Sequence, residues 1–201
     1  MKIKTLSNMI FRYVKNKYLR IKLKNKNASI IANNCNGSFI MHDLHMKFNT
    51  PTVNLFIEAP DFIEFVNNLD FYLKCELEEK QTKENYPIGV LDNKVVIHFL
   101  HYESFESAKE KWNIRKKRVD LNNVYIFMTD RDGFNLDTLK AFNEIKYPKV
   151  LFSHIDYQNE NIIYFPKYKN HKCVGILSNY SGWFGKREYD IFNYVDFLND
   201  N

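Results

Sequence analysis

Ala28-Ser29-Ile30-Ile31-Ala32-Asn33-Asn34-Cys35-Asn36-Gly37-Ser38-Phe39 is the stretch on which the reading of this chain turns. Residues 29–32 form a short apolar run of the kind that makes a buried strand. The run stops at a polar turn, residues 33–38, and an amphipathic segment over 39–48 then reads as a short helix. A strand that breaks directly into a helix presents its turn at the carboxyl edge of an α/β sheet, where ligands and nucleophiles gather. Cys35, between Asn34 and Asn36 and ahead of Gly37, would stand there beside backbone N–H groups and the positive end of a helix. Both features lower a thiol pKa. The expectation is an exposed Cys35, more reactive than Cys75 or Cys173; the plainer alternative is a small residue filling a tight turn.

Outward from that turn the chain alternates. Strands are expected near 52–57, 95–100, 124–128, 150–152 and 162–165, and helices over 59–73, 103–119, 136–145 and 189–198. Residues 76–86 are charged and read as a loop, lobe or β-arm. Apolar strands alternating with helices predict an α/β fold, a three-layer α/β/α sandwich around a mainly parallel sheet. Neither GxGxxG nor GxxxxGK[ST] occurs, so no dinucleotide or P-loop fingerprint supports a nucleotide fold.

Charge divides the chain in two. Residues 1–26 hold nine of the 29 basic side chains and no acid, which leaves 20 basic against 24 acidic residues in 27–201. The body is mildly acidic, which argues against a nucleic-acid partner. In the first segment Leu6, Met9, Ile10, Tyr13, Val14, Tyr18, Ile21 and Leu23 recur at helical spacing among lysines. This is a basic amphipathic helix, suited either to an anionic membrane surface or to docking on the single α/β domain of 27–201. Three cysteines without a CxxC pair point to a reducing compartment and no structural zinc. With no membrane-spanning run and no secretory h-region, the expected location is cytoplasmic, peripheral to a membrane if the helix binds lipid.

Four blocks make the sequence familiar: residues 31–37; residues 49–56 with Ala59-Pro60-Asp61; Tyr86-Pro87-Ile88-Gly89 with residues 97–102; and residues 108–112 with 129–133. In these the chain resembles a bacterial exopolysaccharide-biosynthesis family defined by a domain of unknown function, number 1919. The resemblance implies a role in capsule, exopolysaccharide or lipopolysaccharide assembly, with a glycan or lipid-linked glycan as partner, and implies no particular reaction. The Asn-Cys turn after the first strand is also similar to that of capsule acetyltransferases with a Gly-Asn-Cys-Gln motif, although here Asn33 replaces the glycine and Asn36 the glutamine.

Three constellations carry candidate chemistry. Cys35 with Asn33, Asn34 and Gly37 supplies a nucleophile or an oxyanion site, and His98 or His101 at the end of Val-Val-Ile-His-Phe-Leu supplies a base. Three residues apart on a strand, the two histidines face opposite sides, so one of them reaches the site. Asp130-Arg131-Asp132 after the strand 124–128 either holds Mg²⁺ or Mn²⁺ on a nucleotide sugar or shapes a turn ahead of Gly133; the turn is the favoured reading. His42 and His45 share a predicted helix face without a third ligand, so no metal site is assigned. Trp112 and Trp183, with Tyr102, Tyr180 and Phe184, either form a sugar-stacking floor or belong to the core. Joined to the polysaccharide role that the resemblance implies, these features predict a transferase that moves an acyl group, acetyl from acetyl-coenzyme A, to a glycan. The alternatives are a metal-dependent glycosyltransferase and a non-catalytic glycan- or synthase-binding accessory.

Overall fold

In the computed structural model, which describes residues 2–200, the stretch quoted above is an edge strand and the turn that follows it. Met1 and Asn201, the outer ends of the two expected segments, lie outside the described residues. Strand β1 (Ser29–Ala32) pairs in parallel with β5 (Val124–Thr129), β5 with β6 (Lys149–Ser153), and β6 with β7 (Ile162–Tyr164), in the order β1-β5-β6-β7. Because all four strands run the same way, their carboxyl ends open on one edge. The α/β class expected from strand–helix alternation is what the chain adopts.

Side-chain alternation divides two apolar cores between the faces of this sheet. Ile31, Val124, Ile126, Met128 and Leu151 point to one face. There they meet α3 (Ala59–Asn67), α5 (Phe105–Lys116) and α6 (Leu136–Glu144) through Phe62, Phe65, Trp112 and Phe142. Ile30, Ala32, Tyr125, Phe127, Val150 and Phe152 point to the other face, against α2 (Asn36–Asp43) and α7 (Tyr194–Asn199). Strands covered on both sides need continuous apolar sequence, which is why β1 and β5 are buried at every position.

Four expectations are corrected. Residues 95–100 do not join the parallel sheet. β4 (Val95–His98) pairs antiparallel with β3 (Ile88–Leu91), and β3 with β2 (Leu77–Lys80), in a separate three-stranded sheet. The cause is the turn at Asp92 and Asn93, both with left-handed φ (50° and 54°), closed by Lys94 N–H donating to Leu91 O; a turn of this hand matches the twist of a hairpin. Residues 52–57 form no strand: Pro51 opens the segment, Asn54 has φ 61°, and a single bridge, Phe56 to His98, ties it to β4. The helix expected over 59–73 breaks at Asn68 into α3 and α4 (Leu69–Lys74), with the Asn68 side chain donating to Glu64 O. The closing segment divides into a short turn, Glu188–Ile191, and α7.

Helix α1 (Lys2–Lys22) lies on this body in an unusual sense: its polar face is the buried one. Asn8, Arg12 and Asn16, four residues apart, are buried, whereas Leu6, Met9, Ile10, Tyr13, Val14 and Ile21 are exposed. Arg12 reaches two buried carboxylates. Its Nη2 and Nε donate to Asp43, and its Nη1 donates to Asp190 Oδ2 at 2.6 Å. Asn16 Nδ2 and the Tyr189 hydroxyl also donate to Asp43. Burial alone would raise the Asp43 pKa, but Arg12, Tyr189 and Arg187 outweigh it and hold this carboxyl below its ordinary value. Among the described residues no helix is long and apolar enough to cross a membrane.

Candidate functional site

The turn after β1 starts α2 three residues earlier than its hydrophobic pattern indicates, because Asn34 initiates it. Asn34 Oδ1 accepts the Asn36 N–H at 3.1 Å, and Asn34 Nδ2 donates to Thr129 Oγ1 at 2.7 Å, which fastens the turn to the end of β5. Cys35 is the residue before the helix. At the other end His45 (φ 59°) caps α2 in the left-handed region, with Met46 N–H returning to Met41 O. His45 is therefore a cap beyond the helix and does not share a helix face with His42.

A cavity of about 350 Å³ opens on this edge, the size of a small-molecule site. Its walls come from four parts of the chain: Asn34, Cys35 and Asn36 after β1, Arg131 and Asp132 after β5, Leu100 and His101 after β4, and Gly175, Ile176 and Ser178 from the closing segment. Phe39, Leu55 and Phe56 complete the lining. Four of the residues singled out in the sequence thus meet here: Asn34, Cys35, His101 and Asp132.

Five others, from the same two constellations or the proposed stacking floor, do not line it. Asn33 is fully buried and splices β1 to β5, its Oδ1 accepting from Thr129 N at 3.1 Å. Gly37 lets α2 lie on β1: an added Cβ would come within 2.7 Å of Ala32 Cβ. His98 sits in the antiparallel sheet, stacked on Phe56 at 4.3 Å, and burial pushes its pKa down despite nearby Glu58 and Asp61. Trp112 is a core residue against Phe65 and Phe99, so it provides no stacking floor. Asp130 is buried, and both its oxygens already accept hydrogen bonds: from Val174 N at one, and from Ser153 Oγ, His154 N and His154 Nδ1 at the other. Asp130 and Asp132 therefore do not present two carboxylates to one space. Asp132 adopts φ 52° before Gly133 at 83°, and its carbonyl accepts from Ala59 N at 2.7 Å, so the pair forms the expected turn.

Cys35 also departs from expectation. It is half-buried, burial pushes its thiol pKa up, and its hydrogen bond to Leu55 O at 3.8 Å offsets this only in part. Burial raises the Cys75 and Cys173 thiols too, and both are half-buried. The turn and helix start are present as read, but burial holds the thiol pKa up.

Arg131 is the cation of the cavity, with Nε 3.9 Å from Asp132 Oδ2. Neither it nor Ile176 and Ser178 was singled out in the sequence. Arg131 sat inside a motif read for its acids, and the 175–178 wall carries no motif. His154, the partner of Asp130, gave no signal because its role depends on β6 ending beside β5.

The sequence profile of a domain of unknown function, DUF1919, matches residues 6–199. An uncharacterized protein of Haemophilus influenzae is 41% identical over 200 residues, covering 98% of this chain and 97% of its own length. The chain belongs to the DUF1919 family.

Proposed function

We propose that this DUF1919 protein is an acyltransferase of cell-surface polysaccharide biosynthesis, and that the cavity at the sheet edge takes an acyl thioester, acetyl-coenzyme A, and a glycan hydroxyl. The observation that carries the reading is the convergence of His101, Arg131 and the Asn34–Cys35–Asn36 turn on one cavity. His101 is exposed there and free to act as a base on an acceptor hydroxyl. As the hydroxyl oxygen bonds the acyl carbon, the carbon–sulfur bond breaks and the proton taken by His101 passes to the departing thiolate. Arg131 is suited to a donor phosphate, and Cys35, with its raised pKa, to forming the cavity wall.

Thermal melts with two ligand panels test the proposal. Acetyl-coenzyme A is expected to raise the melting temperature, and Arg131→Gln to remove that protection while His101→Ala keeps it and loses transfer. Protection by a nucleotide sugar with Mn²⁺ instead would make the protein a glycosyltransferase. Protection by neither would leave a glycan- or synthase-binding accessory.

A further inference from the structure

An amphipathic helix that packs on a protein body ordinarily buries its apolar stripe. Helix α1 does the reverse. Its inner face is held by hydrogen bonds and ion pairs: Asn8 Nδ2 to Gly182 O, Asn8 Oδ1 from Gly185 N, and Arg12 to Asp43 and Asp190. Its outer side carries Leu6, Met9, Ile10, Tyr13, Val14, Tyr18 and Ile21, each with another three or four residues away, and Ile21 is 84% exposed. The loop that receives Asn8 extends this face, because Phe184 packs edge-on against Phe11 at 5.2 Å and Trp183 lies exposed beside it. This is an extensive apolar surface for a helix end of a protein to leave in water.

The charges select what covers it. Lys17 rises from the outer face itself, over Tyr13 at 4.6 Å, while Lys4 over the Trp183 ring at 5.7 Å and Lys22 over Tyr18 at 4.9 Å stand at its margin, so cations accompany the exposed aromatics. Residues 1–26 contribute no acid. Asp190 is buried and committed to Arg12 and Lys15, and Asp196 and Asp200 lie at the far end beside Lys22 and Lys24. A second copy of the chain meeting this face across a two-fold axis would oppose lysines to lysines. An anionic bilayer instead satisfies both parts, taking the apolar side chains at the acyl boundary and the lysines at the headgroups.

We propose that the outer face of α1, together with Trp183 and Phe184, docks the protein on the surface of an anionic lipid bilayer with the helix lying in the interface plane. The docking does not depend on the chemistry assigned to the cavity.

The test uses the full chain and vesicles of equal parts phosphatidylglycerol and phosphatidylcholine, compared with phosphatidylcholine alone. Trp112 is buried and Trp183 exposed, so a blue shift of tryptophan emission on binding reports Trp183. The anionic vesicles are expected to bind the protein and shift the emission, and high salt to reverse both. The double variant Lys4→Gln/Lys17→Gln is expected to bind roughly 25-fold more weakly, about fivefold for each lysine. The triple variant Leu6→Ser/Ile10→Ser/Val14→Ser changes only exposed side chains, so its melting temperature should match that of the parent while binding is lost. Equal binding to both vesicle types, or no binding, overturns the proposal. So does a parent protein that is dimeric in solution, fails to bind vesicles and becomes monomeric in the triple variant, which would make the face a self-interface.

Discussion

Replacing Arg12 with alanine tests whether α1 is held by its polar face. The guanidinium joins Asp43 and Asp190, whose side chains are 2% and 1% exposed, so its loss leaves two buried carboxylates short of a cation. Removing one partner of a buried ion pair costs about 3–5 kcal/mol. Each acid keeps some support: Asp43 has Arg187 Nε at 3.2 Å and Asn16 Nδ2 at 2.9 Å, and Asp190 has Lys15 at 2.8 Å. The lower end, about 3 kcal/mol, is therefore expected, or about 6–12 °C in melting temperature for a domain of this size. The acid limb gives an independent readout. Asp43 is held below its unfolded pKa of about 3.9, so it contributes stability that is present above that pH and is lost as pH falls through its folded pKa. Without Arg12 that depression shrinks, and acid unfolding moves to higher pH. Arg12→Met, which retains most of the stem, should recover packing without recovering the acid limb. Thermal melts across the acidic range make the measurement. A loss under about 1 kcal/mol with an unchanged acid limb would show that α1 is held by something other than this cluster.

Three further outcomes follow from the site. Gly37→Ala should destabilise by about 1 kcal/mol or more in a denaturant melt, because the clash with Ala32 Cβ and with Ile30 Cγ2 at 3.1 Å exceeds the helix propensity gained. Asp130→Asn should cost about 3 kcal/mol, since an amide cannot accept from all the donors around Asp130, whereas Asp132→Asn should stay within about 0.5 kcal/mol because Asn tolerates left-handed backbone. Limited iodoacetamide treatment at neutral pH, read by mass spectrometry, should find Cys35 alkylated no faster than Cys75 or Cys173; preferential Cys35 labelling would restore the activated-thiol reading.

The parallel sheet was legible because its strands are buried on both faces, and burial of that kind leaves continuous apolar runs such as Val124–Thr129. The run at 95–100 looks the same in isolation. What separates it is Asp92-Asn93, a two-residue turn signal between apolar runs that identifies a hairpin. Periodicity found α1 but not which stripe faces the body, because an apolar stripe reveals an interface without revealing whose. The partners that bury the opposite stripe, Asp43, Tyr189 and Asp190, are distant in sequence. At the site, Cys35 was readable as a strand–turn–helix residue from its neighbours. Its tertiary surroundings were not, because the carbonyl that accepts from its thiol, that of Leu55, comes from a segment with no strand pairing beyond one bridge.

One cluster connects the two surfaces. The closing segment walls the cavity with Gly175, Ile176 and Ser178, crosses α1 at Gly182–Gly185 and returns at Arg187. Arg187 Nη1 donates to Ser178 O at 2.5 Å, and its guanidinium lies over Tyr180 at 5.1 Å and Phe39 at 5.5 Å. Arg187 Nε also pairs with Asp43, the carboxylate that Arg12 holds from α1. Phe39 and Ser178 on the cavity wall thus touch Arg187, which shares the buried Asp43 carboxylate with Arg12 of the helix. These contacts make one continuous set of ion pairs and packed rings between α1 and the cavity wall. Arg12→Ala is accordingly expected to weaken ligand protection as well as lower the melting temperature. The exposed triple variant leaves the cluster untouched and should do neither.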